Sequence, residues 1–278
     1  MNLTEIHTFL AVVETRSLIR AARRLNVTQS TVTARIDSLE ERLGQRLLHR
    51  SKAGTELTSA GFKFQRYAEL LSQLWGQAKY EIGLPQGFTG ICNLACYFDL
   101  WEGIGDQFLA HVRARRPDVA VAVWPGDQAN IDRWLQTGLV DLAFCYEAEA
   151  RAPFAIREIG SDDLVRVDFK PPRGSTGAGY VYVDYGAQFR RDHAVLFARE
   201  SPSAITLASA RWAIDFLSTA GGSAYLPSRH ARHFGTRGKV VASAPRLTQA
   251  ISLVENTSVT RQWDWLDQAL TSIVPGQR

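Results

Sequence analysis

The chain has little or none of several features that mark other classes of protein. Its 278 residues include three cysteines, Cys92, Cys96 and Cys145. They are odd in number and lack the spacing of a metal site, so we expect reduced thiols buried in a core. No apolar run approaches the roughly 20 residues that a membrane span needs, and the N-terminus lacks the basic segment of a secretory signal. We therefore predict a cytoplasmic, nucleoid-associated protein with no membrane partner.

The familiar sequence signatures of enzymes are also absent. None of the six histidines lies in an HExxH motif, and there is no Walker A loop, no GxSxG elbow and no dinucleotide fingerprint. His230 and His233 lie three residues apart, which we interpret as a surface pair because further metal ligands are missing. The glycine-rich run at 174–179 is interpreted as a flexible loop. We predict no enzymatic activity, no cofactor and no metal.

The positive charge of the chain is concentrated in its first quarter. Residues 1–66 hold eleven Lys or Arg and six Asp or Glu, a net charge of +5. The remaining 212 residues hold 21 basic and 22 acidic residues, a net charge of −1. A basic module joined to a nearly neutral body is the electrostatic pattern of a DNA-binding domain attached to a sensing or assembly domain.

Residues 17–50 have the pattern of two short helices joined by a tight turn. Ser17 is a cap for the first helix, and Thr28 is a cap for the second. Asn26 tolerates the left-handed backbone that a sharp helix exit requires. The second helix carries apolar residues at spacings of four, three and four, namely Val32, Ile36, Leu39 and Leu43.

This arrangement leaves a polar face at the start of the second helix, as in a DNA-reading helix-turn-helix. Glutamine can pair with adenine, arginine with guanine, and hydroxyls with several base edges or with phosphate. Arginines on the preceding helix are suited to the sugar–phosphate backbone. The alternative is an ordinary helix pair with solvated arginines. The predicted DNA contacts are Arg20, Arg23, Arg24, Thr28, Gln29, Ser30, Thr31, Thr33, Arg35, Arg50 and Lys52.

The segments on either side complete a candidate DNA-binding module. We predict a first amphipathic helix, capped by Thr4 and buried through Ile6, Phe9, Leu10 and Val13. Residues 46–49 and 56–57 are predicted to pair as a hairpin around 51–54, which makes a wing. Ser59 opens a long helix to about Ile82. Its apolar stripe predicts pairing with a second chain, with packing on its own domain as the alternative; the stripe consists of Phe64, Tyr67, Leu71, Leu74 and Ala78.

After a Pro/Gly-rich hinge at 83–90, strand-like and helix-like segments alternate. This pattern predicts an α/β domain with a largely parallel sheet, interrupted by a loop at 170–179. The predicted strands are 91–96, 119–124, 140–146, 180–184, one near 205, 223–226, 239–243 and 248–255, and the predicted helices are 101–115, 128–137, 188–198, 208–219 and 261–272.

The N-terminal residues resemble the LysR-type transcriptional regulators. The resemblance runs from Phe9 to Gly61 and rests on AARRLNVTQSTVTARI, LEERLGQRLL and LTSAG. VDYGAQF at 183–189 and GGSAYLP at 221–227 also resemble one branch of that family. Ala34 and Asp37 depart from the family pattern, because basic residues are common at both positions. We expect these departures to reduce DNA affinity without changing the mode of binding.

The resemblance implies a fold and an assembly. The expected fold is an N-terminal, mainly α winged helix-turn-helix (1–58), a linker helix and hinge (59–89), and a C-terminal α/β domain like periplasmic binding proteins (90–278). That domain would have two subdomains, 90–161 with 256–278 and 162–255. The expected assembly is a dimer of dimers on bent promoter DNA, modulated by a small-molecule effector, with RNA polymerase as a further candidate partner. The alternative is a constitutive DNA-binding protein whose C-terminal domain only assembles oligomers.

An effector would lie beyond the carboxyl ends of the strands, close to helix N-termini. Asp99, Glu147 and Asp184 stand at such turns. Ionised carboxylates repel an anion, so we expect either an effector that is not a simple anion or a cleft without ligand. The alternative is that these acids cap helices. The candidate cleft residues are Tyr97, Phe98, Asp99, Trp101, Asp127, Gln128, Glu147, Asp184, Tyr185, Gly221, Gly222 and Ser223.

Overall fold

The computed structural model of the chain describes residues 2–51, 54–148, 153–197, 203–271 and 273. The chain divides into two compact units, Met1–Pro85 and Gln86–Arg278. None of the helices within the described residues has the length and apolar character needed to cross a membrane.

The first unit begins with a helix whose N-terminus differs from the prediction. Helix α1 spans Leu3–Thr15, and its cap is Asn2, whose side chain accepts the Thr4 N–H. Glu5 completes a capping box by accepting the Asn2 N–H at 3.0 Å. The prediction that Thr4 caps this helix is therefore wrong, because Thr4 already lies inside the first turn.

The predicted helix pair is present with the predicted caps. Helix α2 spans Leu18–Arg24 and is capped by Ser17, and α3 spans Gln29–Leu43 and is capped by Thr28. Asn26 has the left-handed φ of 52° that the exit from α2 requires. Leu43, predicted in the core, is 39% exposed because it is the last residue of α3, just before the Gly44 cap.

A two-stranded wing follows α3, as predicted. Strand β1 spans Leu48–Ser51 and pairs antiparallel with β2, Gly54–Leu57. Of the predicted wing contacts, Lys52 and the side chain of Arg50 lie outside the described residues.

The long helix α4 spans Ser59–Ile82, with Thr58 as its cap. Its apolar stripe divides into two parts. Phe64 and Leu71 pack against the core of their own unit, and the ring centroids of Phe64 and Phe9 lie 5.2 Å apart. Tyr67 remains 49% exposed, and Trp75 beyond the stripe is 46% exposed. The alternative of packing on its own domain therefore holds for part of the stripe.

The second unit is built on a mixed seven-stranded sheet rather than the largely parallel sheet we predicted. The strands of this unit are β3 Gly90–Tyr97, β4 Val119–Gly126, β5 Leu142–Cys145, β6 Phe154–Phe169, β7 Val181–Val183, β8 Ile205–Leu207, β9 Gly222–Pro227, β10 Gly238–Val240 and β11 Leu247–Asn256. Strands β4, β3 and β5 run parallel, whereas β6 pairs antiparallel with β9, β10 and β11, and β11 with β5. A second, two-stranded parallel sheet consists of β7 and β8.

The helices of the second unit follow the predicted order, with two corrections. The helices are α5 Asp106–Arg115, α6 Gln128–Gln136, α7 Ala187–Leu196, α8 Ala210–Ala220, α9 Thr257–Thr260 and α10 Leu266–Thr271. The segment before α5 is irregular, because Gly103 has a φ of 87°, so the helix begins at 106 instead of 101. The predicted last helix, 261–272, begins only with α10, since 261–265 is not helical and the short helix α9 lies before the predicted start. Ser272 lies outside the described residues, as does Ala198 at the predicted end of α7.

Strands β6 and β11 join the two halves of this unit. One half contains β3, β4 and β5 with α5, α6, α9 and α10, and the other contains β7 to β10 with α7 and α8. The first part of β6 pairs with β11 beside β5, and its last part pairs with β9 and β10. The register of β6 against β11 shifts between Ile251 and Ser252. Strand β6 is the one long element that we did not predict.

Candidate nucleic-acid interface and regulatory cleft

The start of α3 presents polar side chains to solvent. Gln29 and Ser30 are exposed, and Thr33 is half-buried one turn later. The Thr28 hydroxyl accepts the Thr31 N–H at 3.2 Å, and it lies 2.8 Å from the hydroxyls of both Ser30 and Thr31. Thr28 is therefore engaged in capping, which leaves Gln29 and Ser30 as the most accessible groups for a base edge or a phosphate.

The predicted basic residues differ in how free they are. Arg20 and Arg23 are exposed on α2, whereas Arg24 pairs with Glu14 at 2.6 Å. Arg35 is half-buried, and its Nη1 lies 3.4 Å from the Thr8 hydroxyl on α1. An exposed pair such as Arg24–Glu14 is weak, so a phosphate can displace the carboxylate. Arg35 is thus directed toward α1 in this structure.

Glu40 is a structural residue that we did not identify from the sequence. Its carboxylate is 4% exposed and accepts the N–H groups of Leu47 and Leu48 at 2.7 and 3.1 Å and Arg46 Nη1 at 2.7 Å. These bonds tie the base of the wing to α3, so the wing and α3 are positioned together. A glutamate three residues before the end of an amphipathic helix gives no local signal of such a role.

Gly61 makes the approach of α4 to the wing possible. A Cβ atom at this position would lie 2.1 Å from the Leu47 carbonyl oxygen, which is far inside van der Waals contact. The Thr58 hydroxyl caps α4 by accepting the Gly61 N–H at 2.9 Å, and it donates to the Arg46 carbonyl at 2.7 Å. These contacts give a physical reason for the LTSAG segment at this place.

In the second unit, two of the predicted cleft acids cap helices of the opposite half. Asp99 follows β3, is 2% exposed, and accepts the Ser209 hydroxyl and the Ala210 N–H at 2.9 and 2.8 Å, at the start of α8. Glu147 follows β5 and accepts the Gln188 N–H at 2.6 Å, in the first turn of α7. The carboxylates thus occupy the places where an external anion would meet these helix N-termini.

The third acid is satisfied within its own segment. Asp184 accepts the Gly186 N–H at 3.0 Å and Arg190 Nη1 at 2.9 and 3.0 Å. Its carbonyl oxygen accepts the Tyr97 hydroxyl at 2.9 Å, which links the two halves again. The geometry therefore favours the alternative that the acids cap helices for Asp99 and Glu147, whereas Asp184 bonds to its own neighbours.

Arg229, which follows β9, is a residue beside the predicted cleft acids that sequence reasoning missed. Its side chain is 19% exposed, and its Nε donates to Asp162 Oδ1 at 2.6 Å. Asp162 also accepts the Tyr146 hydroxyl at 2.6 Å, and Arg229 donates to the backbone carbonyls of Asp99 and Glu102. Arg229 therefore connects both halves of the unit. The run of basic residues at 229–233 was the available signal.

The two histidines beside Arg229 differ from the predicted surface pair. His230 is 2% exposed, and burial and the charge of Arg229 lower its pKa to about 4. His233 lies 2.8 Å from Glu102, which also pairs with Arg232 at 2.8 Å. No group of metal-ligating side chains occurs among the described residues.

Five further predicted cleft residues fall into three groups. Phe98 is half-buried, with its ring centroid 6.3 Å from that of Trp212, and Trp101 is 39% exposed. Asp127 caps α6 by accepting the Asn130 N–H at 2.8 Å, and Gln128 donates to Asp132. The prediction for Tyr185 is wrong, because it is fully buried and its hydroxyl donates to the Tyr225 carbonyl.

Gly221, Gly222 and Ser223 stand apart from the helix N-termini, at the start of β9 beside the loop 170–179. The prediction that they share the cleft with Asp99 and Glu147 is wrong, because Gly222 pairs with Phe169 at the far end of β6, and Gly222 and Ser223 line a separate groove.

The cysteines are all buried and unpaired. Burial raises the pKa of Cys145 to about 12 and raises the pKa of Cys92 and Cys96 as well. Thiolate is the reactive form of cysteine, so these side chains act as small core residues, as we predicted.

Known proteins resemble both units. The family model "Bacterial regulatory helix-turn-helix protein, lysR family" matches residues 3–62. The HTH-type transcriptional regulators HdfR of Salmonella newport (strain SL254) and Salmonella typhimurium are each 28% identical over 247 residues, which is 88% of this chain and of the relative.

The fold is shared with a solved structure along nearly its whole length. The crystal structure of CbnR, a LysR family transcriptional regulator, superposes with a TM-score of 0.75 at 19% identity and covers 98% of this chain and 99% of that one. Full-length CbnR complexed with its target DNA gives a TM-score of 0.72. At this identity, the likeness establishes the fold.

Proposed function

We propose a function from one premise: the chain belongs to the LysR-type family of transcriptional regulators, and it is a DNA-binding regulator. The finer proposal is that α3 reads promoter DNA in the major groove through Gln29, Ser30 and Thr33. Arg20, Arg23 and Arg24 contact phosphates, together with Thr28 and Thr31 at the helix start, and Arg35 turns from α1 to the DNA. The observation that carries this proposal is the exposed polar start of α3 beside exposed arginines of α2. Arg50 and Lys52 are added to the proposed DNA contacts as wing residues, on the basis of the sequence alone.

The experiment compares one base-reading residue with one phosphate-contacting residue. Gln29→Ala should weaken binding to the specific site by about 1–3 kcal/mol and leave non-specific binding almost unchanged, because a base contact is lost. Arg20→Ala should weaken both, and it should reduce the slope of log K against log salt by about 1, because one phosphate contact is lost.

Titrations of specific and scrambled duplexes at several salt concentrations separate these outcomes. Ser38→Ala is a control on the side of α3 that faces Glu5, where the Ser38 hydroxyl donates at 3.0 Å. An equal loss for Gln29→Ala on both duplexes would contradict its base-reading role.

We further propose that the chain pairs with a second copy through α4, and that two such dimers assemble on DNA. Support comes from the part of the stripe that does not pack on its own unit, since Tyr67, with Leu74 seven residues later, continues one helix face. A full-length Tyr67→Asp, Leu74→Asp variant should be monomeric by sedimentation at micromolar concentration. A dimer of this variant would refute the proposal.

The role of the second unit has two candidates. One is modulation by a small-molecule effector that is not a simple anion, with RNA polymerase as a further partner of the regulator. The other is constitutive DNA binding, and the carboxylates of Asp99 and Glu147 at the starts of α8 and α7 favour it. The two differ in one observable, which is whether small molecules change the binding or the bending of DNA.

A further inference from the structure

A groove of about 770 Å³ lies in the second unit, where β6, β9 and β10 meet the loop 170–179. Four cationic side chains line it, together with one acid. This gives the lining a formal charge of +3, whereas residues 67–278 carry a net charge of −1. The charged lining residues are Arg166, Lys170, Arg237, Lys239 and Asp168.

The register of the strands brings these charges onto one face of the sheet. Asp168 on β6 lies opposite Lys239 on β10 and opposite Ser223 on β9. Arg166 and Lys170 stand two residues to either side of Asp168, and alternate residues along an extended chain point the same way. The groove is therefore a product of strand pairing.

The guanidinium of Arg166 is held inside the groove and is only partly satisfied. Its Nη2 lies 3.4 Å from the Ser223 hydroxyl, and its central carbon lies 5.9 Å from the centroid of the Tyr180 ring. Its Nε is buried and has no hydrogen-bond acceptor among the described residues, because Asp168 Oδ1 is 3.6 Å away. A buried N–H donor without an acceptor lowers the stability of the fold unless a ligand accepts a hydrogen bond from it.

The loop that forms one wall is fixed to β9. Ala178 donates its N–H to the Gly221 carbonyl at 3.0 Å, and Ser223 donates its N–H to the Gly179 carbonyl at 2.9 Å. A Cβ atom on Gly222 would lie 2.4 Å from the Gly179 oxygen, so this approach requires glycine. The glycine-rich run, which we interpreted as flexible, is held in place here by backbone bonds.

The opposite wall is fixed by Arg237. Its Nε and Nη2 donate to the Lys170 carbonyl at 3.0 and 2.5 Å, and its carbonyl accepts the Lys170 N–H at 3.0 Å. The ends of β6 and β10 are thereby joined at the rim. Walls that are already ordered reduce the entropy that a ligand must lose on binding.

We propose that this groove binds a small anion that carries two or more negatively charged oxygens, the chemistry shared by phosphate esters and polycarboxylates. Guanidinium groups match such oxygens in pairs, and the lysine ammonium groups add charge at the rim. The net positive charge of the lining repels cations, and it does not favour a neutral ligand over an anion. This site is separate from the helix starts that Asp99 and Glu147 occupy, and it does not depend on DNA reading.

Calorimetry on the full-length chain, with pyrophosphate and citrate as probes, tests the proposal. Saturable binding of at least one probe is expected, and the preferred probe identifies the phosphate or the carboxylate source. A Lys170→Gln, Lys239→Gln variant should bind about tenfold or more weakly, since two charges that attract the anion at close range are removed. Both side chains are exposed, so the fold should tolerate the changes.

Two further variants make the test specific. Asp168→Asn should bind about three- to tenfold more tightly, because the opposing charge is removed, and misfolding cannot produce a gain. Arg173→Gln removes a charge from an exposed residue of the same loop that does not line the groove, so its affinity should change less than twofold. Absence of saturable binding, an equal loss for Arg173→Gln, or no gain for Asp168→Asn would overturn the proposal.

The same variants distinguish DNA from a small anion as the occupant of the groove. If Lys170→Gln, Lys239→Gln lowered non-specific DNA affinity and left pyrophosphate and citrate binding unchanged, the groove would be a DNA contact and the proposal would be wrong. Unchanged DNA binding together with weakened anion binding supports it, whatever the result of the Gln29 experiment.

Discussion

The start of α3 and the helix starts in the second unit use polar groups in opposite ways. At α3, Gln29 and Ser30 are exposed to solvent and remain available to a binding partner. At α7 and α8, the corresponding positions are filled by Glu147 and Asp99 from the other half of the same unit. The same local feature, a helix N-terminus, is thus open to a partner in one region, where we propose that it reads DNA, and holds two parts of the chain together in the other.

The largest effect should come from breaking the Asp162–Arg229 pair, whose two side chains also bond to the Tyr146 hydroxyl and to backbone carbonyls after β3. Asp162→Ala leaves Arg229 as a buried charge without its carboxylate and removes the acceptor of the Tyr146 hydroxyl. We expect a loss of about 3–5 kcal/mol in the free energy of unfolding, measured by urea denaturation.

The neighbouring Asp163→Ala is the matched control for this experiment. Asp163 is 47% exposed and lies 4.0 Å from Arg246, so its loss should cost less than about 1 kcal/mol. Similar losses for both variants would show that the buried network of Asp162, Arg229 and Tyr146 contributes no more to stability than an exposed ion pair does.

A smaller effect, with a defined pH dependence, is expected at Asp99. Burial raises the pKa of Asp99 from 3.8 to about 6, although the Ala210 N–H, the Ser209 hydroxyl and Arg229 oppose the shift. Between these two values the folded chain binds more protons than the unfolded chain. The contribution of Asp99 to stability is therefore greatest at low pH, falls as the pH rises from about 4 to about 6, and is constant above.

Asp99→Asn removes this titration and keeps an oxygen that accepts both hydrogen bonds. Relative to the parent chain, the variant should gain about 1–2 kcal/mol of stability between pH 4.5 and pH 7. Urea denaturation at a series of pH values measures the difference. A difference that stays constant across this range would contradict the raised pKa.

The smallest effect tests whether a vacated helix start accepts an external anion. Glu147→Ala frees the Gln188 N–H at α7, so sulfate should stabilise this variant by about 0.5–1 kcal/mol more than chloride at equal ionic strength. Glu147→Gln keeps the accepting oxygen and should show no such gain. Thermal unfolding measures the shifts. An equal gain in the parent chain would mean that its helix starts are already open to anions.

The sequence predicted those elements whose signals are local. Ser17, Asn26 and Thr28 set the ends of α2 and α3 through capping and a left-handed turn, and these signals act within a few residues. The helix α4 was predicted with its start and end for the same reason. Thr4 was mistaken for a cap because two capping residues, Asn2 and Thr4, stand within one turn of each other.

Strand β6 was missed because its polar residues serve distant partners. Asp162, in the middle of the strand, looks like a turn residue until Arg229 and Tyr146 are seen to enclose it. The mixed sheet was mistaken for a parallel one because strand direction depends on which strands pair, and β6 and β11 pair across about 90 residues.

The sequence by itself determined the helix-turn-helix module, because its caps, turn and apolar spacings are all interactions between near neighbours. It also placed the excess positive charge in that module. Only the tertiary structure decided which polar groups of the second unit remain open to a ligand. Asp99 and Glu147 are engaged by helices about 110 and 41 residues away, and the cations around Asp168 meet only because three strands align. Such contacts are long-range in the chain, so no local pattern encodes them.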